Sequence, residues 1–264
     1  MSPGSPQSGI EPAVLLKLLG NDVRWRLVAA LAASDRKVNE LVEAVGQPPN
    51  LVSYHLGQLR AARMVGERRS SADARDVYYS LDLERLQAAL ERCAVTIHPG
   101  LSPGSRHTAA PGPPEVAGQP TRVLFLCTHN SACSQMAEAI LRQQGGDAVA
   151  VSSAGSDPSE VHPLALRTLA DLGIDPAGLR AKSLSSFAGE RFDYVITLCD
   201  IVRESCPSWP GEPERLHWSL GDPSLVDASE EEAHLAFRST AAEISRRARY
   251  FLTRAASARK RTAA

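Results

Sequence analysis

Three observations predict a chain of two domains, an α+β domain followed by an α/β domain. Helix-period segments lead into two alternating stretches that end near Leu81. The run His98 to Pro120 is dense in Pro, Gly, Ser and Ala and has no apolar period. After it, continuous apolar stretches alternate with helical ones, the order of an open parallel sheet. The middle run reads as a linker rather than one long ordered loop, because structureless loops of that length are uncommon in compact domains. The expected divisions are 9–97, a linker over 98–120, and 121–257, both domains being of viable size.

Composition supports two globular domains. Of 264 residues, 43% are hydrophobic and 22% charged, which excludes wholesale disorder, a collagen and a coiled-coil rod. Five cysteines are an odd number and too few for a disulfide scaffold, so a reducing, cytoplasmic setting is expected, where a cysteine with a role is catalytic, redox-active or metal-binding. No apolar run reaches about 18 residues, so no membrane span is expected. Met1 to Gln7 lacks the basic-then-apolar layout of a signal peptide. The formal net charge of −1 averages 12 basic against 11 acidic residues through Ile97 and 17 against 19 after it. Any nucleic-acid signal must therefore be local.

In the first domain, Leu15, Leu16, Leu18 and Leu19 form the apolar face of a helix stopped at Gly20-Asn21. Asp22 is expected to cap a second helix with Trp25, Leu27, Val28, Ala30 and Leu31 as its apolar positions. Val38, Leu41, Val42 and Val45 space a third, stopped by Gly46. After a turn at Pro48-Pro49-Asn50, a fourth runs from Leu51 to Val65, with Leu51, Val52, Leu56, Leu59 and Met64 inward. Val65–Arg69 and Asp76–Leu81 alternate like a hairpin, and a last helix runs from Leu83 to about Ala94. Helix, tight turn, helix and hairpin make a winged helix-turn-helix, whose recognition helix enters the major groove while the wing meets the backbone. Asn50, Ser53, Tyr54, His55 and Gln58 lie early on that helix, where base edges are read. Arg60, Arg63, Arg68, Arg69 and Arg75, against Glu67 and Asp73, would meet phosphates. The competing reading, a protein-binding helical bundle with a solvated arginine face, leaves the hairpin unexplained.

The run PPNLVSYHLGQLRAARMVGERR…VYYSLD resembles the ArsR family of metal-responsive repressors over about residues 10–95. The resemblance implies a homodimer held by the first and last helices on a pseudo-palindromic operator in double-stranded DNA. Many members carry a cysteine pair in the helix before the recognition helix; here that helix, Val38 to Val45, has no thiol. Cys93, the one cysteine in this half, reads as a small buried residue on a dimer helix.

In the second domain, Arg122 to Leu126 is a buried-strand run ending in Cys127, followed by the small polar loop Thr128-His129-Asn130-Ser131-Ala132-Cys133-Ser134 and a helix from Gln135. Strand, small-residue loop and helix form an oxyanion cradle, in which backbone N–H groups and a helix N-terminus point at the anion. The same field is expected to lower the pKa of Cys127 and make it a nucleophilic thiolate. Further strands are expected at 148–153, 194–198 and 216–218, and helices at 163–172 and about 229–252. Active residues belong at the carboxyl ends of such strands, where Cys127 and Cys199 lie.

LCTHNSACSQMAEAIL, VSSAG at 151–155, ITLCDIVRESCP at 196–207 and HWSLGDP at 217–223 resemble low-molecular-weight protein tyrosine phosphatases and, more closely, thioredoxin-coupled arsenate reductases on that fold. The pair Cys199 and Cys206 sets the reductases apart. The resemblance implies that Cys127 attacks arsenate, Cys199 attacks Cys127 and releases arsenite, and Cys206 takes over the disulfide for thioredoxin or a low-molecular-weight thiol, with no tightly bound cofactor. It also implies that Asp222 protonates the leaving oxygen, Ser134 hydrogen-bonds the Cys127 thiolate and Asn130 holds the cradle's backbone, with Thr128, His129, Ser131, Ala132 and Cys133 completing the oxyanion loop. The family pattern is a cysteine, five residues, then arginine; here the sixth following position is Cys133. Neutral Cys133 cannot replace the guanidinium fork. Weakened catalysis is one consequence. The other is a sensor in which Cys127, Cys133 and Cys199 bind trivalent arsenic or antimony, since three thiolates suit soft cations. Tyrosine phosphatase activity is a remoter reading. His129 either helps hold the thiolate or faces solvent, His162 reads as helix-start punctuation, and His217 and Trp218 read as packing beside the Asp222 loop. No Cys/His quartet has zinc spacing.

Overall fold

In the computed structural model, which describes residues 10–98, 101 and 119–262, the chain forms two compact units. Nearly all of the 98–120 run lies outside the described residues.

The first unit carries α1 (Pro12–Leu19), α2 (Asp22–Leu31), β1 (Arg36–Lys37), α3 (Val38–Val45), α4 (Pro49–Ala61), β2 (Val65–Arg69), β3 (Val77–Leu81) and α5 (Leu83–Ile97). The strands form an antiparallel sheet in the order β1-β3-β2, with Glu67 opposite Tyr79. The two-residue β1 carries no period and was not expected. Leu15, Leu27, Leu41, Val52, Leu56, Leu59 and Met64 fill one core and are fully or almost fully buried.

Four local expectations are corrected. Asn21, not Asp22, caps α2, its side-chain oxygen accepting from the N–H of Val23 (3.1 Å) and Arg24 (3.2 Å). Trp25 and Leu16 lie on exposed faces, so the apolar count on α1 and α2 exceeds what the core takes. The fourth helix stops at Ala61 rather than running to Val65. Arg63 adopts a left-handed φ of 55° and Met64 N–H donates back to Leu59 O at 2.9 Å, which turns the chain into β2. The last helix extends to Ile97, with Asp82 accepting from Arg85 N–H at its start.

The second unit carries β4 (Thr121–Cys127), α6 (Cys133–Gly145), β5 (Val149–Gly155), α7 (Pro163–Asp171), β6 (Tyr194–Thr197), α8 (Asp200–Ser205), β7 (Glu214–His217) and α9 (Glu230–Thr262). All four strands are parallel, in the order β5-β4-β6-β7. Along β4, successive side chains face opposite sides of the sheet. Leu124 and Leu126 join Val195, Phe192, Val202 and Trp209 on one side. Phe125 packs beside Trp218 on the other, and Trp218 beside Phe251 of α9. Both faces are therefore covered, as a continuous apolar run predicts. Helix α6 begins at Cys133, two residues before the expected Gln135, and α9 runs ten residues beyond the expected Leu252 to Thr262. The short α8, which contains no apolar period, was not expected.

The chain adds β5 on one side of β4 and then crosses to add β6 on the other. The carboxyl end of β4 is thus the switch point of the sheet, where a ligand crevice forms. Cys127 sits there.

Candidate functional site

The loop between Cys127 and α6 has its carbonyls tied down on the outside. The carbonyl oxygens of Cys127, Thr128, His129 and Ser131 accept from the N–H groups of Ser156 (3.2 Å), Asp157 (2.9 Å), Ser159 (2.9 Å) and His162 (3.0 Å). In a trans peptide the next residue's N–H points opposite to the carbonyl. Fixing the carbonyls outward therefore turns the loop's N–H groups toward the space over Cys127. Asn130, in the left-handed region at φ 48°, makes the bend possible. Its N–H donates to Cys127 Sγ at 3.1 Å. Its side chain is fully buried, donates to Ser134 Oγ (2.9 Å) and Ser153 Oγ (2.8 Å), and accepts from the Lys182 N–H (2.8 Å) and Gln135 Nε2 (3.0 Å).

Ser134 Oγ lies 2.9 Å from Cys127 Sγ. Behind Asn130, Ser153 Oγ donates to Glu138 Oε2 at 2.5 Å, and the same oxygen accepts from Lys182 Nζ at 2.9 Å, while Arg142 pairs with the other oxygen. A buried carboxylate carrying these partners is satisfied and rigid. Gln135, Glu138, Ser153 and Lys182 were missed in sequence. The available signal was polar residues at positions that the helix and strand periods place inward.

The expected thiolate is not preorganised. Cys127 is buried, and burial pushes its thiol up from 9.0 to about 11; the hydrogen bonds from Ser134 and from the loop N–H groups pull it down but do not offset this. The loop's dipoles therefore act against desolvation without a cation beside them. Cys133 occupies the first turn of α6, half-buried, with Sγ 3.9 Å from Gly221 O. Its own thiol is pushed well up, first by burial and then by Cys127, Asp222 and Cys199. Cys127, Cys199 and Asp222 thus all disfavour a Cys133 thiolate. Among the described residues, no group of three His, Cys, Asp or Glu side chains is arranged to hold a metal ion.

Cys199 follows β6 as the N-cap of α8, and its Sγ lies 3.4 Å from Thr128 Oγ1. Cys206 closes α8 at the other end, half-buried, with Sγ 3.7 Å from Pro207 O. All five cysteines are free thiols. Asp222 is exposed and caps a 3-10 turn, accepting from Ser224 N–H at 2.9 Å. His129 is exposed, its Nδ1 3.1 Å from Asp157 O. Ser131 Oγ donates to Glu160 O, and Ala132 is buried under the loop. His162 caps α7 and stacks on Phe237.

In the first unit, Asn50, Ser53, Tyr54 and Gln58 lie exposed on α4, and Arg60, Arg63, Arg69 and Arg75 are exposed. Arg60 pairs with Glu67, and Arg68 is half-buried with its guanidinium on the Arg69 carbonyl. His55 is a correction: it is buried against Arg24, with its Nδ1 3.4 Å from Arg24 NH1, and burial with that cation lowers its pKa. The helical period explains this, since 55 falls on the same side of α4 as the buried Val52, Leu56 and Leu59. Cys93 is buried on α5, with Sγ 3.8 Å from Pro12 O of α1.

Among the described residues, no helix is long and apolar enough to cross a membrane.

Residues 122–262 match the family described as low molecular weight phosphotyrosine protein phosphatase, and residues 21–66 match bacterial regulatory proteins of the arsR family. An arsenate reductase of Halalkalibacterium halodurans is 35% identical over 129 residues, covering 49% of this chain and 93% of that protein. A glutaredoxin arsenate reductase of Synechocystis is 35% identical over 102 residues, 39% of this chain and 78% of that protein. The solved arsenate reductase of Archaeoglobus fulgidus is similar at 28% identity and a TM-score of 0.42, covering 50% of this chain and 98% of that one.

Proposed function

The chain belongs, through residues 122–262, to the low molecular weight phosphotyrosine protein phosphatase family and carries an arsR-family helix-turn-helix ahead of it, and on that premise we propose that it is an arsenic-responsive transcriptional repressor whose second unit reduces arsenate by a thiol–disulfide relay. The observation that carries this reading is the Cys127 thiol held by Asn130 N–H and Ser134 Oγ at the base of an N–H-lined loop, with Cys199 across its mouth beside Thr128.

The Cys127 sulfur attacks arsenic and displaces one oxygen, which leaves as water with a proton from Asp222. The Cys199 thiolate attacks the Cys127 sulfur. The S–As bonding pair passes to arsenic, As(V) becomes As(III), and arsenite departs. Cys206 then attacks Cys199, freeing Cys127, and an external dithiol, thioredoxin-like or glutaredoxin-like, or a low-molecular-weight thiol reduces the Cys199–Cys206 bond. With no guanidinium at position 133 and Cys127 held up near 11, the first step is slow. An assay of arsenate reduction with a thioredoxin system tests the reading: slow turnover abolished by Cys127→Ser and by Cys199→Ser supports it, and none above background overturns it.

DNA is read by the exposed face of α4, through Asn50, Ser53, Tyr54 and Gln58, with Arg60, Arg63, Arg69 and Arg75 toward phosphates. A homodimer forms through α1 and α5, which pack together and expose Val14, Leu16, Leu90, Val95 and Ile97.

Cys127 and Cys133 bound the loop and Cys199 Sγ lies 3.4 Å from Thr128 Oγ1 within it, which supports a second reading, capture of trivalent arsenic by thiolates as the signal for operator release. Arsenite titration separates it: equal affinity and equal operator release in wild type and Cys133→Arg would sink it.

A further inference from the structure

His217 was expected only to pack beside the Asp222 loop. It ends β7 directly opposite Thr197 of β6, and it is fully buried. Its Nδ1 lies 2.8 Å from Thr197 Oγ1, and its Nε2 lies 3.0 Å from Asp200 Oδ1. Asp200 is also fully buried; the same carboxylate oxygen accepts from Ser219 Oγ at 2.7 Å, and its other oxygen accepts from the N–H (2.7 Å) and Oγ (3.0 Å) of Ser71. Thr197 and Asp200 flank Cys199, two residues before it and one after. The imidazole thus grips the chain on both sides of the second thiol of the relay.

The rest of α8 is held differently. Ile201, Glu204 and Ser205 are exposed, Cys206 is half-buried, and Val202 is its one apolar side chain in the core beneath. A six-residue helix has little stability of its own. After Asp200 the side chains of α8 are more exposed, Val202 excepted.

Resting on the relay reading above, we propose that His217, with Ser219, is a positioning residue that acts through Asp200: it anchors the first turn of α8 so that Cys199 stays turned toward the Cys127 loop while residues 201–206 unravel to deliver Cys206. Two buried partners with complementary polarity can fix one geometry in this way, since breaking the pair leaves a buried carboxylate short of a donor.

The test uses the reduced full-length protein and its His217→Ala, His217→Gln and Ser219→Ala variants. Iodoacetamide alkylation of Cys199 is followed by peptide mass spectrometry, with Cys93 in the other unit as the folding control. Separate samples are oxidised with diamide, which takes two electrons and two protons from a thiol pair, and the first disulfide is mapped. In His217→Ala, alkylation of Cys199 should quicken about tenfold, the factor carried by one hydrogen bond to a charged group, while Cys93 is unchanged. The first disulfide should shift from Cys127–Cys199 to Cys199–Cys206. His217→Gln, whose amide restores an N–H to Asp200, should return most of the wild-type behaviour. Ser219→Ala should give a smaller rise and serves in place of His217→Ala if that variant fails to fold. Unchanged Cys199 alkylation in the folded variants would overturn the anchor. If wild type forms no Cys127–Cys199 bond at all, the relay falls, and the alkylation comparison still decides the anchor by itself.

Discussion

Gly155 lies so close to Thr128 that a Cβ at that position would stand 2.6 Å from the Thr128 carbonyl oxygen and 2.9 Å from Asn130 N. These are backbone atoms of the cradle itself and cannot rotate away. Gly155→Ala should therefore push the loop off its seat, costing about 1–3 kcal/mol of stability. A lower urea midpoint together with faster Cys127 alkylation is the expected outcome; an unchanged midpoint and alkylation rate would show that the contact relaxes freely.

Cys127 should behave as a slow nucleophile. A thiol held near 11 is ionised in roughly one molecule in ten thousand at pH 7. Its alkylation rate should climb about tenfold per pH unit up to about 11 rather than levelling near 9. Burial raises the folded pKa above the unfolded one, so between 9 and 11 the folded state binds more protons, and stability falls as pH rises through that window. Cys133, also raised, adds the same sign. Denaturation at pH 8 and pH 10 in wild type and Cys127→Ser checks this: the serine variant should lose less stability across the interval.

Cys133→Arg should restore the missing cation. A charged donor reaching the oxyanion and the neighbouring thiol should lower the Cys127 pKa and raise arsenate turnover about a hundredfold. The pH profile of Cys127 alkylation reports the first effect, and the thioredoxin-coupled assay reports the second. If both stay at wild-type values, Cys133 does not stand where the oxyanion clamp would act.

The recognition face should separate from the core of the first unit. Gln58→Ala removes an exposed side chain and should relax operator sequence preference with little change in stability. Arg69→Ala should weaken all sequences alike and reduce the salt slope by about one. His55→Ala should lower the melting temperature and leave sequence preference intact, because His55 is buried against Arg24. Binding curves on matched and mismatched duplexes at two salt concentrations distinguish the three.

The sequence carried the small polar loop after β4, the pair Cys199 and Cys206, and the helix-turn-helix because each is a local string: residues eight or fewer apart on one element or turn. Thr128 to Ser134, Cys199 with Cys206, and Asn50 to Gln58 are all of this kind. The second layer was not legible. Glu138, Ser153 and Lys182 come from a helix, a strand and a loop, and meet only because α6 and β5 pack beside β4. Helix periodicity did place His55 on the buried side of α4, yet its polar side chain read as a base contact.

By itself, the sequence determined the order of the main elements, the short β1 and α8 excepted, the parallel sheet and which thiol heads the loop, since apolar period and turn chemistry act over a few residues. Tertiary structure decided how those thiols behave. Burial raised Cys127 where a helix N-terminus and polar loop predicted the reverse, because desolvation depends on every atom packed around the sulfur and outweighs the few hydrogen bonds nearby. The grip of His217 on Asp200 likewise exists only once β6 and β7 lie side by side.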